Sequence, residues 1–334
     1  MSEHRCVDEA ERLRDEWRAL WASCPSATPF QSPDWVLAWM RFLPVSEPRL
    51  IAIRAGGHLV GVAPTFRWDS GSCRTISLLG AGISDYLDIV AAPGFETAIL
   101  DAFTAWLESC ETDWDRCSFD EIGPRALLRD LRPPRCTAAA LQPQSVCPAI
   151  ALPMGATSLD GVVPPLQMKR VRRDGQRAAS LGAVSFERAD VQEAAPILDV
   201  LFALHARRWQ TRGTAGVLAD GRLRELHGEV AAAFQRLGML RLYVLRIGSQ
   251  VGAVIYGFRW RERLYFYLQG IEPELARASP GTLLVAAALR DALDEDVSVV
   301  DFLRGAESYK YTWGAVDQSN DSLRIDRSGE LGHF

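Results

Sequence analysis

The segment RASPGTLLVAAALRDALDEDVSVVDFLRGAESYKYTW, Arg277–Trp313, sets a Ser-Pro-Gly turn, an apolar run, a short apolar strand and a polar cluster in one unbroken order. Pro280 suits the first turn of a helix, where its missing N–H would have no intrahelical partner anyway. The apolar spacing predicts a helix from about Gly281 to Leu293 and a strand over Val297–Leu303.

Such a helix start offers unpaired backbone N–H groups and the positive end of the helix dipole to an anion, pyrophosphate above all. Ser-Pro-Gly is also an ordinary way to begin a helix, so the turn alone does not specify a ligand. At the far end stand Asp301, Glu307, Tyr309 and Lys310. Acyl transfer needs a base, donors that steady an oxyanion, and a proton for the leaving group. Asp301 closes an apolar strand, where burial can raise a carboxylate toward a useful pKa. The plainer reading of all four is a structural salt-bridge cluster.

Upstream, IRAGGHLVGVAPTFRW (Ile53–Trp68) aligns without a gap on LRIGSQVGAVIYGFRW (Leu245–Trp260), 192 residues later. Arg54, Gly56, Val62, Phe66, Arg67 and Trp68 meet Arg246, Gly248, Val254, Phe258, Arg259 and Trp260. Each copy reads as a hairpin with a glycine-bearing turn. Each is followed by a strand, a helix (Thr97–Ser109 in the first half) and another strand, which predicts two similar α/β units with mixed sheets. Helices are also expected at Asp8–Trp21, Pro33–Phe42, Ala194–Thr211 and Gly221–Leu237, with Ser32 or Asp34 as a cap and Gly238 as a stop.

The length of 334 residues also favours two domains, at roughly 100–200 residues each. The proline-rich Arg132–Pro148 places the boundary near 150–160, giving domains 1–155 and 160–334 joined through a basic helix, 164–181. That helix carries Lys169, Arg170, Arg172, Arg173 and Arg177, a solvated face or an attractor of an anionic acceptor, donor phosphates or tRNA.

A net charge of −5 argues against a protein that coats nucleic acid. No apolar run approaches the ~20 residues of a membrane span, and the polar start MSEHRCVDEAERLRDEW is unlike a secretory signal, so a cytoplasmic protein is expected. Seven cysteines without a C-x-x-C pair suggest reduced thiols and no structural metal. Other acceptor-side candidates are Asp85, Tyr86 and Asp88 in SDYLD, and His205 with Arg208 and Trp209, one helical turn apart in LHARRW. The first half's own turn, AAPGFET, carries Glu96, which would repel a phosphate, so the second half is the better donor site.

The order hairpin, strand, glycine-containing turn, helix, strand resembles the GNAT acyltransferase fold. SPGTLL, VDFLRGAESYKYTW and LHARRW together resemble the GNAT subgroup called CelD/BcsL-type, whose tandem halves are similar to FemABX aminoacyl transferases. The resemblance runs from FQSPDW to YKYTW. It implies two tandem GNAT-like domains of α/β (α+β) class, each a mixed, mostly antiparallel sheet flanked by helices, the first with a degenerate donor site and a role in acceptor recognition. It also implies an acyl-CoA, such as acetyl-CoA, held at Arg277, Ser279, Pro280, Gly281 and Thr282. The turn departs from the family pattern in keeping Arg277 and Gly281 without a second glycine or alanine. Phe302, Leu303, Gly305, Glu307, Tyr309 and Lys310 match the family's active-site pattern, with Asp301, Glu307, Tyr309 and Lys310 as catalytic residues. Lys169, Arg172, Asp85, Tyr86, Asp88, His205, Arg208 and Trp209 would face the acceptor, a small molecule, glycan or peptide.

The activity implied is N- or O-acyl transfer directly from the thioester. Two alternatives stand beside it: aminoacyl-tRNA-dependent transfer of the FemABX kind, and a non-catalytic acyl-CoA-binding or scaffold protein of exopolysaccharide assembly.

Overall fold

The computed structural model describes residues 1–43, 47–71, 73–190, 192–210 and 217–327, without the side chains of 208–210 and 217. The chain forms two compact units, Met1–Ser145 together with the C-terminal segment from Gln318, and Val146–Asp317.

The first unit opens with strand β1 (Ser2–His4) and helices α1 (Val7–Glu11), α2 (Arg14–Ser23) and α3 (Pro33–Phe42). Strands β2 (Glu47–Ala55), β3 (His58–Ser70), β4 (Cys73–Leu78) and β5 (Val90–Ala91) follow, then helix α4 (Glu96–Ser109) and strand β6 (Arg116–Ile122). The single helix expected over Asp8–Trp21 is broken at Arg12–Leu13. Arg14 and Arg18 of α2 both ion-pair with the buried Asp34. The cap of α3 is Ser32, whose Oγ accepts the Trp35 N–H at 3.2 Å.

Strand β7 (Thr137–Ala151) carries the chain into the second unit. Much of the proline-rich stretch Arg132–Pro148 is thus extended strand, since proline is tolerated in strands where its missing donor is not needed. The second unit contains helix α5 (Pro165–Ala179), strand β8 (Val184–Arg188), helices α6 (Ala194–Gln210) and α7 (Gly221–Arg236), and strands β9 (Leu240–Ile247), β10 (Gln250–Trp260) and β11 (Arg263–Ile271). Helix α8 (Pro280–Asp294), strand β12 (Val299–Asp301) and helix α9 (Ser308–Thr312) complete it, and β13 (Val316–Arg327) returns to pair with β6. Residues 318–327, grouped above with the second half, thus sit in the first unit.

In unit one the strand order runs β1-β2-β3-β4-β6-β13, and in unit two β7-β12-β11-β10-β9-β8. Each run of strands is mostly antiparallel, with one parallel pair: β4 with β6, and β11 with β12. The hairpins aligned in sequence are β2–β3 and β9–β10. Gly56, Gly57 and Gly248 take positive φ at their turns. Hairpin, strand, crossing helix and parallel strand therefore recur in both halves.

In unit two, Leu284, Ala288, Leu289 and Ala292 of α8 pack with Tyr243, Ile255 and Leu264 of the sheet and with Val171 and Ala178 of α5. Burying each such leucine contributes roughly 1.5–3 kcal/mol, so this layer holds α8 against the sheet.

Candidate active site

The site begins with an opening between strands of the second unit. Strand β11 pairs with β12 only over Arg263–Tyr265 against Val299–Asp301. Beyond Asp301 the chain follows β7 instead: Phe302 and Gly305 donate their N–H groups to Pro148 O and Val146 O, each at 2.9 Å. Residues 266–271 of β11 thus lie beyond the β11–β12 ladder, which ends at the pair Tyr265–Asp301. A β-bulge adds to the divergence, since Tyr256 pairs with Leu268 but Gly257 with Phe266, leaving Tyr267 as the extra residue. A side chain at Gly257 would strike the Tyr265 carbonyl, so glycine permits the bulge.

Two cavities line this opening. One, of about 320 Å³, is walled by Gln269 and Ile271 of β11, by Ser279, Pro280, Gly281 and Thr282, and by Arg170 of α5, among others. The second, of about 280 Å³, is more polar and includes His205, Tyr267, Gln269, Arg304, Glu307 and Tyr309. Gln269, Val285 and Tyr309 belong to both walls, so the two cavities adjoin.

The turn before α8 has the shape of an anion cradle. Ser279 holds a left-handed conformation (φ 50°, ψ 51°), and its carbonyl accepts both the Thr282 and Leu283 N–H groups. Pro280 has no N–H, and the Gly281 N–H has no protein acceptor among the described residues. Ser279, Pro280, Gly281 and Thr282 all line the first cavity. Arg277 is exposed and not among the lining residues; its carbonyl accepts Arg177 Nη1 at 3.0 Å.

Helix α5 supplies the cationic wall. A third cavity, of about 480 Å³, adjoins the first through Gln167, Arg170 and Thr312, and Lys169 and Arg173 line it too. Asp174, fully buried, ion-pairs Arg170 (3.6 Å), Arg173 (3.2 Å) and Arg177 (3.6 Å), which fixes that arginine group on the helix. Arg172 is exposed and lines none of these cavities. The spacing 166, 169, 170, 173 marks one helical face, and this periodicity was the available signal for Arg170 and Arg173 over Arg172.

Of the polar cluster, Glu307 and Tyr309 reach the second cavity with much of their surface open, at 55% of the Glu307 side chain and 40% of Tyr309. Asp301 is fully buried, accepts the Leu303 N–H at 2.8 Å and Arg263 Nη1 at 2.7 Å, and does not line either adjoining cavity. Lys310 contributes to the wall of the second cavity but is only 2% exposed, and its ammonium is enclosed by backbone carbonyls and Glu307.

His205, on α6, lines the same cavity. The side chains of Arg208 and Trp209 lie outside the described residues. Asp85, Tyr86 and Asp88 belong to unit one. There Asp88 accepts the Leu127 and Leu128 N–H groups, burial pushing its carboxyl up to about 7, and the Tyr86 carbonyl accepts Gln31 Nε2. Tyr267, Gln269 and Arg304 are wall residues that the sequence reading did not single out. Gln269, a lone amide in the apolar run LYFYLQGI, was the visible signal. Among the described residues, no group of three or more His, Cys, Asp or Glu is placed to hold a metal ion, and no helix is long and apolar enough to cross a membrane.

Residues 166–311 match the family Acetyltransf_6, described as "Acetyltransferase (GNAT) domain". Comparison by sequence with curated proteins finds no match. Among solved structures, the fold is similar to FemX, with a TM-score of 0.66 and 11% identity over 97% of each chain. It is also similar to a conserved protein of unknown function from Bacteroides thetaiotaomicron (TM-score 0.63, 11% identity, 94% of this chain and 97% of that one). A third is L-PGS from Bacillus licheniformis (TM-score 0.57, 10% identity, 94% and 91%). Residues 166–311 thus match the model of a GNAT acetyltransferase domain, within a chain whose fold is similar to that of FemX.

Proposed function

We propose that the protein is an acyl-CoA-dependent N- or O-acyltransferase of the CelD/BcsL type, acting by direct attack of the acceptor on the thioester. The observation that carries this reading is the pair of adjoining cavities: an anion cradle at the start of α8 on one side, a polar chamber with a carboxylate on the other, and Tyr309 in both walls.

In this reading the donor's pyrophosphate lies at Ser279–Thr282, against the Gly281 N–H and the Arg170 guanidinium, where the helix dipole and the cation act together. The stretch of β11 beyond its ladder with β12 offers backbone groups to the donor's amides. The acceptor enters the polar chamber, and Glu307 takes its proton as it attacks the acyl carbon. Tyr309 gives a proton to the departing thiolate. Holding both reactants in neighbouring cavities supplies much of the rate, since orientation alone is worth up to roughly 7–11 kcal/mol.

Arg170 and Arg173 also favour a larger polyanion, so aminoacyl-tRNA remains the second reading of the donor. The test is the thermal shift of nucleic-acid-free protein with acetyl-CoA, longer acyl-CoAs, free CoA and buffer. A ligand at 100 times its dissociation constant stabilises by about 2.7 kcal/mol. Stabilisation by an acyl-CoA together with acceptor-dependent release of free thiol supports the proposal. No shift with any of them, and activity lost on RNase treatment, would transfer the assignment to aminoacyl-tRNA. Binding without turnover would leave a silent acyl-CoA-binding protein.

A further inference from the structure

The residues between β12 and α9 are tied together by two buried charges. Arg263 Nη1 holds one Asp301 oxygen at 2.7 Å, and the other accepts the Leu303 N–H at 2.8 Å. Leu303 stands at φ 56°, a conformation that a residue with a β-carbon adopts at a cost. From the other side, Lys310 Nζ donates to the carbonyls of Leu303 (2.9 Å), Arg304 (3.0 Å) and Gly305 (2.8 Å). The same ammonium lies 2.9 Å from Glu307 Oε2.

An ammonium has three protons, and four acceptors already surround this one. It is therefore poorly placed to give a proton to a leaving group. Gly305 closes the arrangement: it takes φ 115°, and a β-carbon there would lie 2.6 Å from Glu307 Oε2. The left-handed turn at Leu303, the bend at Gly305 and the Glu307 carboxylate each contact Lys310 or Asp301, and the Gly305 N–H is held by Val146 O as well.

We propose that Lys310 is a positioning residue, which holds the Glu307 carboxylate and the 303–305 backbone at the wall of the polar cavity, with Asp301 anchoring the same turn from behind. This rests on the acyl-transfer reading above, in which Glu307 is the base. Lys310 then acts through Glu307, and its removal costs turnover because the carboxylate loses its place.

The test compares Lys310→Met, Lys310→Arg, Glu307→Gln and the Lys310→Met/Glu307→Gln double variant. Lys310→Met should lower kcat about 100-fold while the donor dissociation constant stays within about threefold, and Lys310→Arg, which keeps the charge, should recover part of that loss. Because both residues act in one unit, the double variant should be no worse than the weaker single one. Losses that multiply, or a rise in donor KM with kcat retained, would overturn the proposal.

Amide hydrogen exchange over residues 302–307 reads the arrangement without turnover. Lys310→Met should speed exchange there about tenfold, whereas Glu307→Gln should leave it within about threefold. Unchanged exchange in Lys310→Met overturns the proposal even in an active enzyme. Faster exchange in a protein that transfers no acyl group would refute the reaction and support the clamp. If Lys310→Met does not fold, Lys310→Arg takes its place in both measurements.

Discussion

Gly281 faces Ile271 so closely that a β-carbon added to the glycine would lie 2.6 Å from Ile271 Cδ1. The start of α8 and the stretch of β11 beyond its ladder with β12 meet there, on the floor of the cavity assigned to the donor. Gly281→Val should weaken acyl-CoA binding at least tenfold, measured by calorimetry. Because the added bulk presses on the strand, Gly281→Ala and Gly281→Ala/Ile271→Val separate crowding from ligand contact. The double variant should recover affinity that the single one loses. Unchanged affinity in Gly281→Val would remove the turn from the donor site.

Arg170 and Arg172 are two residues apart on α5, yet only Arg170 lines the donor cavity. Arg170→Ala should raise the donor dissociation constant about five- to tenfold, and the effect should shrink as salt screens the charge. Arg172→Ala should change it by less than twofold. Equal effects would point to a diffuse field from the basic helix in place of a local contact.

Asp301 is fully buried against Arg263, and removing one partner of a buried ion pair typically costs about 3–5 kcal/mol. Asp301→Ala should therefore show a large drop in urea midpoint. Asp301→Asn, which keeps an acceptor for the Leu303 N–H, should show a smaller one, with donor affinity unchanged in both. An Asp301→Asn protein of full stability and abolished turnover would instead make Asp301 the base.

These contrasts show how far the sequence could be read. The hairpins at Ile53–Trp68 and Leu245–Trp260 were legible because glycine at positive φ and alternating apolar residues are local properties. Helix α8 was legible for the same reason, through Pro280 at its start and the spacing of Leu284, Ala288 and Ala292. The second cavity was only half visible. Glu307, Tyr309 and Lys310 stand together in the chain, but which of them faces the cavity and which is enclosed depends on the left-handed turn at Leu303, and nothing in a leucine announces it. Gln269 and Arg170 reach the site from β11 and α5, so only the packed structure brings them to α8. Asp34 was read beside Ser32 as a candidate helix cap, whereas its partners Arg14 and Arg18 lie a helix away.

Asp88 gives the first unit a pH signature of its own. Burial pushes its carboxyl up to about 7, even though the Leu127 and Leu128 N–H groups favour the ionised form. Between the ordinary carboxyl range and pH 7 the folded state holds this proton and the unfolded chain has released it. The proton's contribution to stability is thus complete below about pH 4 and lost as pH rises toward 7, a change of about 4 kcal/mol over that window. Asp88→Asn has no proton to lose. It should carry a fixed penalty for a less well matched N–H partner, about 1–3 kcal/mol, together with a flatter profile. Chemical unfolding of both proteins from pH 4 to pH 7 measures the difference: the advantage of the wild type should shrink with rising pH. A difference that stays constant across the range would mean that Asp88 is ionised throughout in the folded protein, with its two backbone donors outweighing burial.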